Sequence, residues 1–180
     1  MDTDRLIDQI LQGDRQAYAQ VVVRYQDGIF GFLWRMGLRR AVVEELAQEV
    51  FVRAWTHLGD FRPARSAFST WLFAIARNLA LNELGRAGQR LEVACDDDAP
   101  DVACDDDAPA AALDRKRSRA RLHAALGRLA PAQRSVLALS YLSELSVAEV
   151  AAIEGIAAGA VKVRLHRARR ALRRILETLP

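Results

Sequence analysis

Apolar residues recur along this chain of 180 residues at steps of three and four, and no stretch alternates strictly between turn residues, so the pattern predicts helices throughout. A short first helix is expected over 4–11, closed by Gly13. Asp14 has the side chain of a good N-cap for a longer helix that carries Tyr18, Val21, Val22, Tyr25, Ile29, Phe32 and Leu33 to a stop near Gly37. A third is expected over 42–58, with Leu46, Val50, Phe51 and Trp55 on one face. Pro63 cannot sit deep in a helix, so a loop separates this element from a fourth over 67–84.

Four more helices are expected nearer the carboxyl end. They span 113–126; 131–142, opened by Pro131 in a first turn; 146–154, where Ser146 and Glu149 have the spacing of a capping box; and 158–176. Between the two groups, 91–112 has no periodic apolar face. It contains the octet V-A-C-D-D-D-A-P twice, at 93–100 and 102–109, and cannot bury enough surface to fold alone. The expected fold class is therefore all-α. Two small helical domains, 1–90 and 113–180, are joined by a flexible acidic linker over 91–112.

Charge sharpens this division. The net charge is only +3, yet residues 1–90 hold 12 basic and 10 acidic side chains, 91–113 hold eight acidic and no basic ones, and 115–180 hold 14 basic and four acidic. A cationic unit behind an acidic tether points to a polyanionic partner, since each phosphate neutralised releases counterions. The two cysteines, Cys95 and Cys104, belong to the repeated octet and match no metal or redox spacing. The absence of a long apolar run and of a basic-then-apolar start predicts no stable membrane insertion and a place in the cytoplasm. No phosphate-cradling glycine loop is present, and His57, His123 and His166 assemble no metal set or nucleophile triad. No catalytic residue, metal or cofactor is expected.

The stretch 146–174 has the layout of a helix-turn-helix, with a turn at 155–158 and Val147, Val150, Ala151 and Ile156 between its helices. Val161 and Leu165 anchor the second helix inward. Seven cations follow between Lys162 and Arg174 with no acid among them, and like charges three and four residues apart repel. A duplex offsets that repulsion, because a helix of this kind fits the major groove. Lys162, Val163, His166 and Arg167 share a face near the helix start and are candidates to read bases. Arg164 is a further DNA-contact candidate, and Arg169, Arg170, Arg173 and Arg174, further along, are expected to touch the DNA backbone. In the first domain, the segment around Phe61, Arg62, Arg65 and Ser66 mixes aromatic rings with cations, which suits unstacked single-stranded bases. Phe68 and Trp71, just beyond, read as core residues.

The strings E-E-L-A-Q-E-V-F-V-R-A-W, F-S-T-W-L-F-A-I-A-R-N-L-A-L-N, L-S-V-A-E-V-A-A-I-E-G-I and V-K-V-R-L-H-R-A-R-R-A-L resemble the two conserved regions of bacterial extracytoplasmic-function sigma factors, the sigma-70 family. The resemblance implies a factor that joins core RNA polymerase and directs promoter-specific initiation in a stress or environmental response. Glu45, Leu46, Gln48 and Glu49 would meet the polymerase. The loop from Phe61 to Ser66, with Arg62, Arg65 and Asn78, would capture a base of the melted minus-ten strand, and the recognition helix would read the duplex minus-thirty-five element. An anti-sigma factor that masks both domains is implied as a further partner. The loop is one residue longer than the family pattern and has Pro63 in place of its glycine; Ala157, Gly159 and Ala160 replace the usual proline and Gly-Thr before the recognition helix; Val163 replaces a common serine. The competing reading is a helix-turn-helix regulator acting on duplex DNA without joining polymerase, which accounts for the second half only.

Overall fold

The computed structural model describes residues 3–89, 109–141 and 145–179. The duplicated octet with both cysteines, and Leu142, fall outside them apart from Pro109. Among the described residues all regular structure is helical: α1 Thr3–Leu11, α2 Arg15–Arg35, α3 Arg40–Thr56, a 3-10 turn Leu58–Asp60, α4 Phe68–Gln89, α5 Pro109–Gly127, α6 Pro131–Ser140, α7 Val147–Glu154 and α8 Ala158–Thr178. Asp14 caps α2 as expected, accepting from the backbone N–H groups of Gln16 at 2.9 Å and Ala17 at 3.3 Å. Two boundaries differ from the expectation by more than two residues. Helix α4 continues to Gln89, and α5 starts at Pro109, inside the stretch expected to be a flexible linker. Proline suits a first helical turn, and Ala110, Ala111, Ala112 and Leu113 behind it are strong helix formers, so local propensity extends α5 backward.

The first unit packs three amphipathic stripes together. Val21, Tyr25, Ile29, Phe32 and Leu33 of α2 meet Val43, Leu46, Val50 and Ala54 of α3, and Phe68, Leu72, Phe73, Ala76 and Leu79 of α4. Leu46 and Val50 lie inside as expected and Phe51 is half-buried, but Ala54 takes the inward place expected of Trp55, which stands 41% exposed. The second unit is built around α6, whose residues from Arg134 to Leu139 are all buried, as a helix enclosed on every side must be. The two units share one apolar core: Val136, Leu139, Val150, Ile153 and Val161 belong to the same contiguous cluster as Phe32 and Phe68.

Among the described residues, Arg134 stands in that junction without a carboxylate partner. Its Nη1 donates to Met36 O at 2.5 Å, and its Nη2 donates to Gly127 O at 2.7 Å and Leu129 O at 2.8 Å. Those carbonyls terminate α2 and α5, where helix dipoles present negative ends, so two helix C-termini replace the missing anion. Burial pushes the guanidinium pKa below its usual value. Gly37, at φ +73°, is required at this point, because a Cβ there would lie 2.9 Å from Arg134 Nη1 and 3.1 Å from Gly127 Cα. Beside it the His123 ring stacks on Trp34, with centroids 3.8 Å apart and planes inclined by 17°. Its Nε2 lies 3.2 Å from Leu38 O, and a carbonyl only accepts, so this nitrogen carries the proton.

Arg134→Ala leaves three carbonyls without a donor and should cost about 3 kcal/mol in urea unfolding, with Gly37→Ala costing at least about 1 kcal/mol. Burial lowers the pKa of His123, aided by the nearby Arg134 charge and opposed by the Leu38 and Trp34 carbonyls. The unfolded chain therefore binds a proton that the folded chain resists. That share of stability is present above the ordinary value of 6.5 and is lost as pH falls below it. The urea midpoint should fall from about pH 7 to about pH 5.5, and His123→Gln should have a shallower slope over the same range.

Candidate nucleic-acid interface

The helix-turn-helix is set by local chemistry at both ends of α7. Ser146 Oγ accepts from Glu149 N at 3.2 Å while Glu149 Oε2 accepts from Ser146 N at 2.7 Å, the capping box anticipated from spacing. Gly155 adopts φ +66°, a left-handed conformation that favours glycine, and the Ile156 N–H returns to Ala151 O at 3.1 Å. The chain then reverses through Ala157 into α8. Val150, Ala151, Ile153 and Val161 are buried between the helices, with Ile156 and Leu165 half-buried. Val147, expected among them, is 42% exposed; Ile153 takes the inward position instead.

On α8 the candidate contact residues Lys162, Val163, His166, Arg167 and Arg170 are all exposed, Val163 to 51%. Arg169, Arg173 and Arg174 are exposed as well. The solvent side of this helix is thus a cationic strip with one apolar residue near its start. Arg164 is the exception, half-buried with Nη1 3.1 Å from Glu154 Oε2. At the far end, Arg121 of α5 closes α8 by donating to Leu176 O and Leu179 O, each at 2.8 Å.

The first unit carries the other candidates. Arg62 Nη1 donates to Gly59 O at 2.6 Å and Phe61 O at 3.0 Å, which holds its side chain across the loop; Arg65 is exposed and Ser66 half-buried. Asn78 is exposed on α4, where its Oδ1 accepts from Arg77 Nη1 at 3.3 Å. Phe61 needs correction as a contact residue. Its ring is 3% exposed and lies edge-on to Phe68 and tilted to Trp71, both at 5.5 Å, so it closes the core beneath the loop. Leu46 is corrected in the same way, since it belongs to the buried stripe of α3. Glu45 and Gln48 are exposed, and Glu49 pairs with Arg53 at 2.6 Å. The end of α3 is held to α2 by Tyr18, whose phenol donates to Phe51 O at 2.5 Å and whose pKa burial raises to about 12.

Sequence reasoning did not single out Glu154, Arg77 or Arg134. The available signal for Glu154 was a carboxylate in the otherwise apolar run V-A-A-I-E-G-I.

A helix-turn-helix with a cationic second helix, packed on a second helical unit that exposes arginines around a loop, defines a DNA-binding protein. The Sigma-70 region 2 family matches residues 21–90 and the Sigma-70 region 4 family matches 119–180. ECF RNA polymerase sigma factor SigW of Bacillus subtilis (strain 168) is 33% identical over 96% of each chain. SigL of Mycobacterium tuberculosis is 37% identical over 94% of this chain and 96% of that protein. Among solved structures, CnrH in complex with the cytosolic domain of CnrY is 29% identical, with a TM-score of 0.71 over 99% of this chain and 100% of that one. The chain belongs to the extracytoplasmic-function sigma factors of the sigma-70 family, and as such it directs promoter-specific transcription initiation by RNA polymerase. No described helix is long and apolar enough to cross a membrane.

Ser146→Ala removes one half of the capping box and should lower the stability of the chain by about 1 kcal/mol in denaturant titration.

Proposed function

We propose that the two units divide promoter recognition between them. Lys162, Val163, His166 and Arg167 read the minus-thirty-five element in the major groove, and Arg170 binds phosphate beside them, while Arg164 supports the start of the helix from inside. Arg62, Arg65, Ser66 and Asn78 hold the melted minus-ten strand, and Glu45, Gln48 and Glu49 meet core polymerase. The observation that carries this reading is the exposure of five of the six α8 candidates on the second helix of a helix-turn-helix. In major-groove readout an exposed valine suits a thymine methyl group, so Val163 favours thymine at its position. The boundaries 1–90, 91–112 and 113–180 serve as functional limits even though α5 begins earlier.

The chain works without a catalytic centre of its own, in the cytoplasm beside the polymerase. Its likeness to CnrH, solved in complex with the cytosolic domain of CnrY, supports a protein partner in addition to polymerase and promoter DNA, and membership of the sigma-factor family makes an anti-sigma factor that partner.

The deciding experiment is transcription in vitro from a genomic promoter library with core polymerase and this protein. Discrete starts that share two upstream motifs are expected. Tight duplex binding by the protein alone, with no starts, would overturn the residue assignments. Arg167→Ala should weaken recognition of the upstream motif by about 1 to 3 kcal/mol, roughly tenfold or more. Glu45→Lys should reduce polymerase affinity and leave duplex binding by the isolated protein unchanged.

A further inference from the structure

Glu154 ends α7 with a carboxylate whose side chain has no exposed surface. A buried carboxylate is held only where donors replace its water. Ser135 of α6 donates its hydroxyl to Oε1, and Arg77 of α4 places Nε 3.0 Å from Oε1 and Nη2 3.4 Å from Oε2. The remaining donor comes from the helix assigned to base reading. Arg164 of α8 places Nη1 3.1 Å from Oε2, and its own side chain is 31% exposed.

Seven cations lie between Lys162 and Arg174. Among the described residues, Arg164 alone of the seven has a carboxylate within ion-pair distance. At about 100° per residue it projects about 60° from Arg167 on the exposed strip and about 40° from Ala168, which is buried. It therefore stands on the flank of α8. Beside a helix lying in the major groove, a flanking cation is placed to meet backbone phosphate. Glu154 turns this one the other way, into the second unit.

A phosphate contact positions a protein on a duplex without reading its sequence. If Arg164 took one, the lie of α8 would be shared between the DNA backbone and the protein. Held by Glu154, which Ser135 fixes in turn, the start of α8 is tied instead to α6 and α7. Lys162 and Val163 stand directly before Arg164, and base-edge contacts are more demanding in direction than contacts to phosphate charge.

We propose that Glu154 is a positioning residue for promoter reading: it withholds Arg164 from DNA phosphate and fixes the start of α8, so that Lys162 and Val163 meet base edges in one register. The proposal rests on the reading of α8 as the base-contacting helix. It assigns Arg164 to specificity and removes it from the phosphate contacts.

The test uses the full chain and two duplexes, one with the upstream motif found by transcription in vitro and one with that motif scrambled, with affinity followed across salt concentrations. Four forms are compared: unaltered, Arg164→Gln, Glu154→Gln and the double variant, each checked for unchanged helical content by circular dichroism. Glu154→Gln keeps the shape and removes the charge. It should raise affinity for the scrambled duplex about threefold, steepen the slope of log affinity against log salt by about 1, and lower the preference for the motif by about threefold or more. Arg164→Gln should lower the preference to a similar extent and leave the slope of the parent unchanged. In the double variant the slope should return to that of the parent, which separates Arg164 from Arg77 as the released cation. Lost stability alone moves none of these slopes.

A shallower slope in Arg164→Gln places that arginine on phosphate already and overturns the proposal, and this variant decides the matter if Glu154→Gln does not fold. An unchanged slope or preference in Glu154→Gln, or a double variant as steep as Glu154→Gln, overturns it as well. Arg167→Ala is measured beside them. If the unaltered protein prefers neither duplex and Arg167→Ala changes nothing, the base-reading assignment of α8 itself fails, so the two failures are distinguishable.

Discussion

A helix of eight residues has little stability of its own in water, since the cost of nucleation is spread over too few hydrogen bonds. Helix α7 is such a helix, and the rest of the molecule is arranged through it. The Ser146–Glu149 box secures its first turn, and Gly155 secures its last. Val150, Ala151 and Ile153 supply the burial, and the surfaces that cover them come from α4, α6 and α8. Because only three residues separate α7 from α8, the direction of the cationic helix is inherited from how α7 is held. The contact between the two units is inherited from it as well.

Two charged side chains lie buried near this junction, and each is neutralised differently. Arg134 is met by carbonyls at the ends of α2 and α5, which supply partial negative charge from backbone alone. Glu154 is met by two guanidinium groups and a hydroxyl. Neither arrangement gains much over full hydration, yet both are demanding in geometry, so they specify where helices meet more than they add to stability. An apolar residue at either place would permit several packings of the same two units.

The proposed DNA-contact surfaces follow from what the core does not take. On α8 the inward positions are filled by Val161, Leu165, Ala168 and Leu172, which leaves the strip of lysine and arginine in water. At the loop before α4 the core takes more than its composition suggests. It draws in the Phe61 ring and leaves Arg62, Arg65 and Asn78 as the outward groups. Aromatic residues beside arginines therefore mark the surface here without all belonging to it.

Local signals settle what lies close along the chain. Asp14, Ser146 with Glu149, and Gly155 act within a few residues of themselves, so helix starts and stops, the helix-turn-helix and the outward face of α8 were legible from spacing and charge. So was the all-α class, and so was the family resemblance carried by four ordered strings. The ends of α4 and α5 were less so, because an alanine-rich stretch behind a proline suits either a linker or a helix. What residues far apart do to each other was not legible at all. That Phe61 turns inward, that Arg134 closes two helices, and that Glu154 collects Arg77 and Arg164 depend on contacts across as many as 98 positions. The amino-acid sequence by itself determined the helices, their caps and the placement of charge, which arise from short-range backbone and side-chain chemistry. The tertiary structure alone decided which charges are buried and paired, because the partners meet only once the two units share a core.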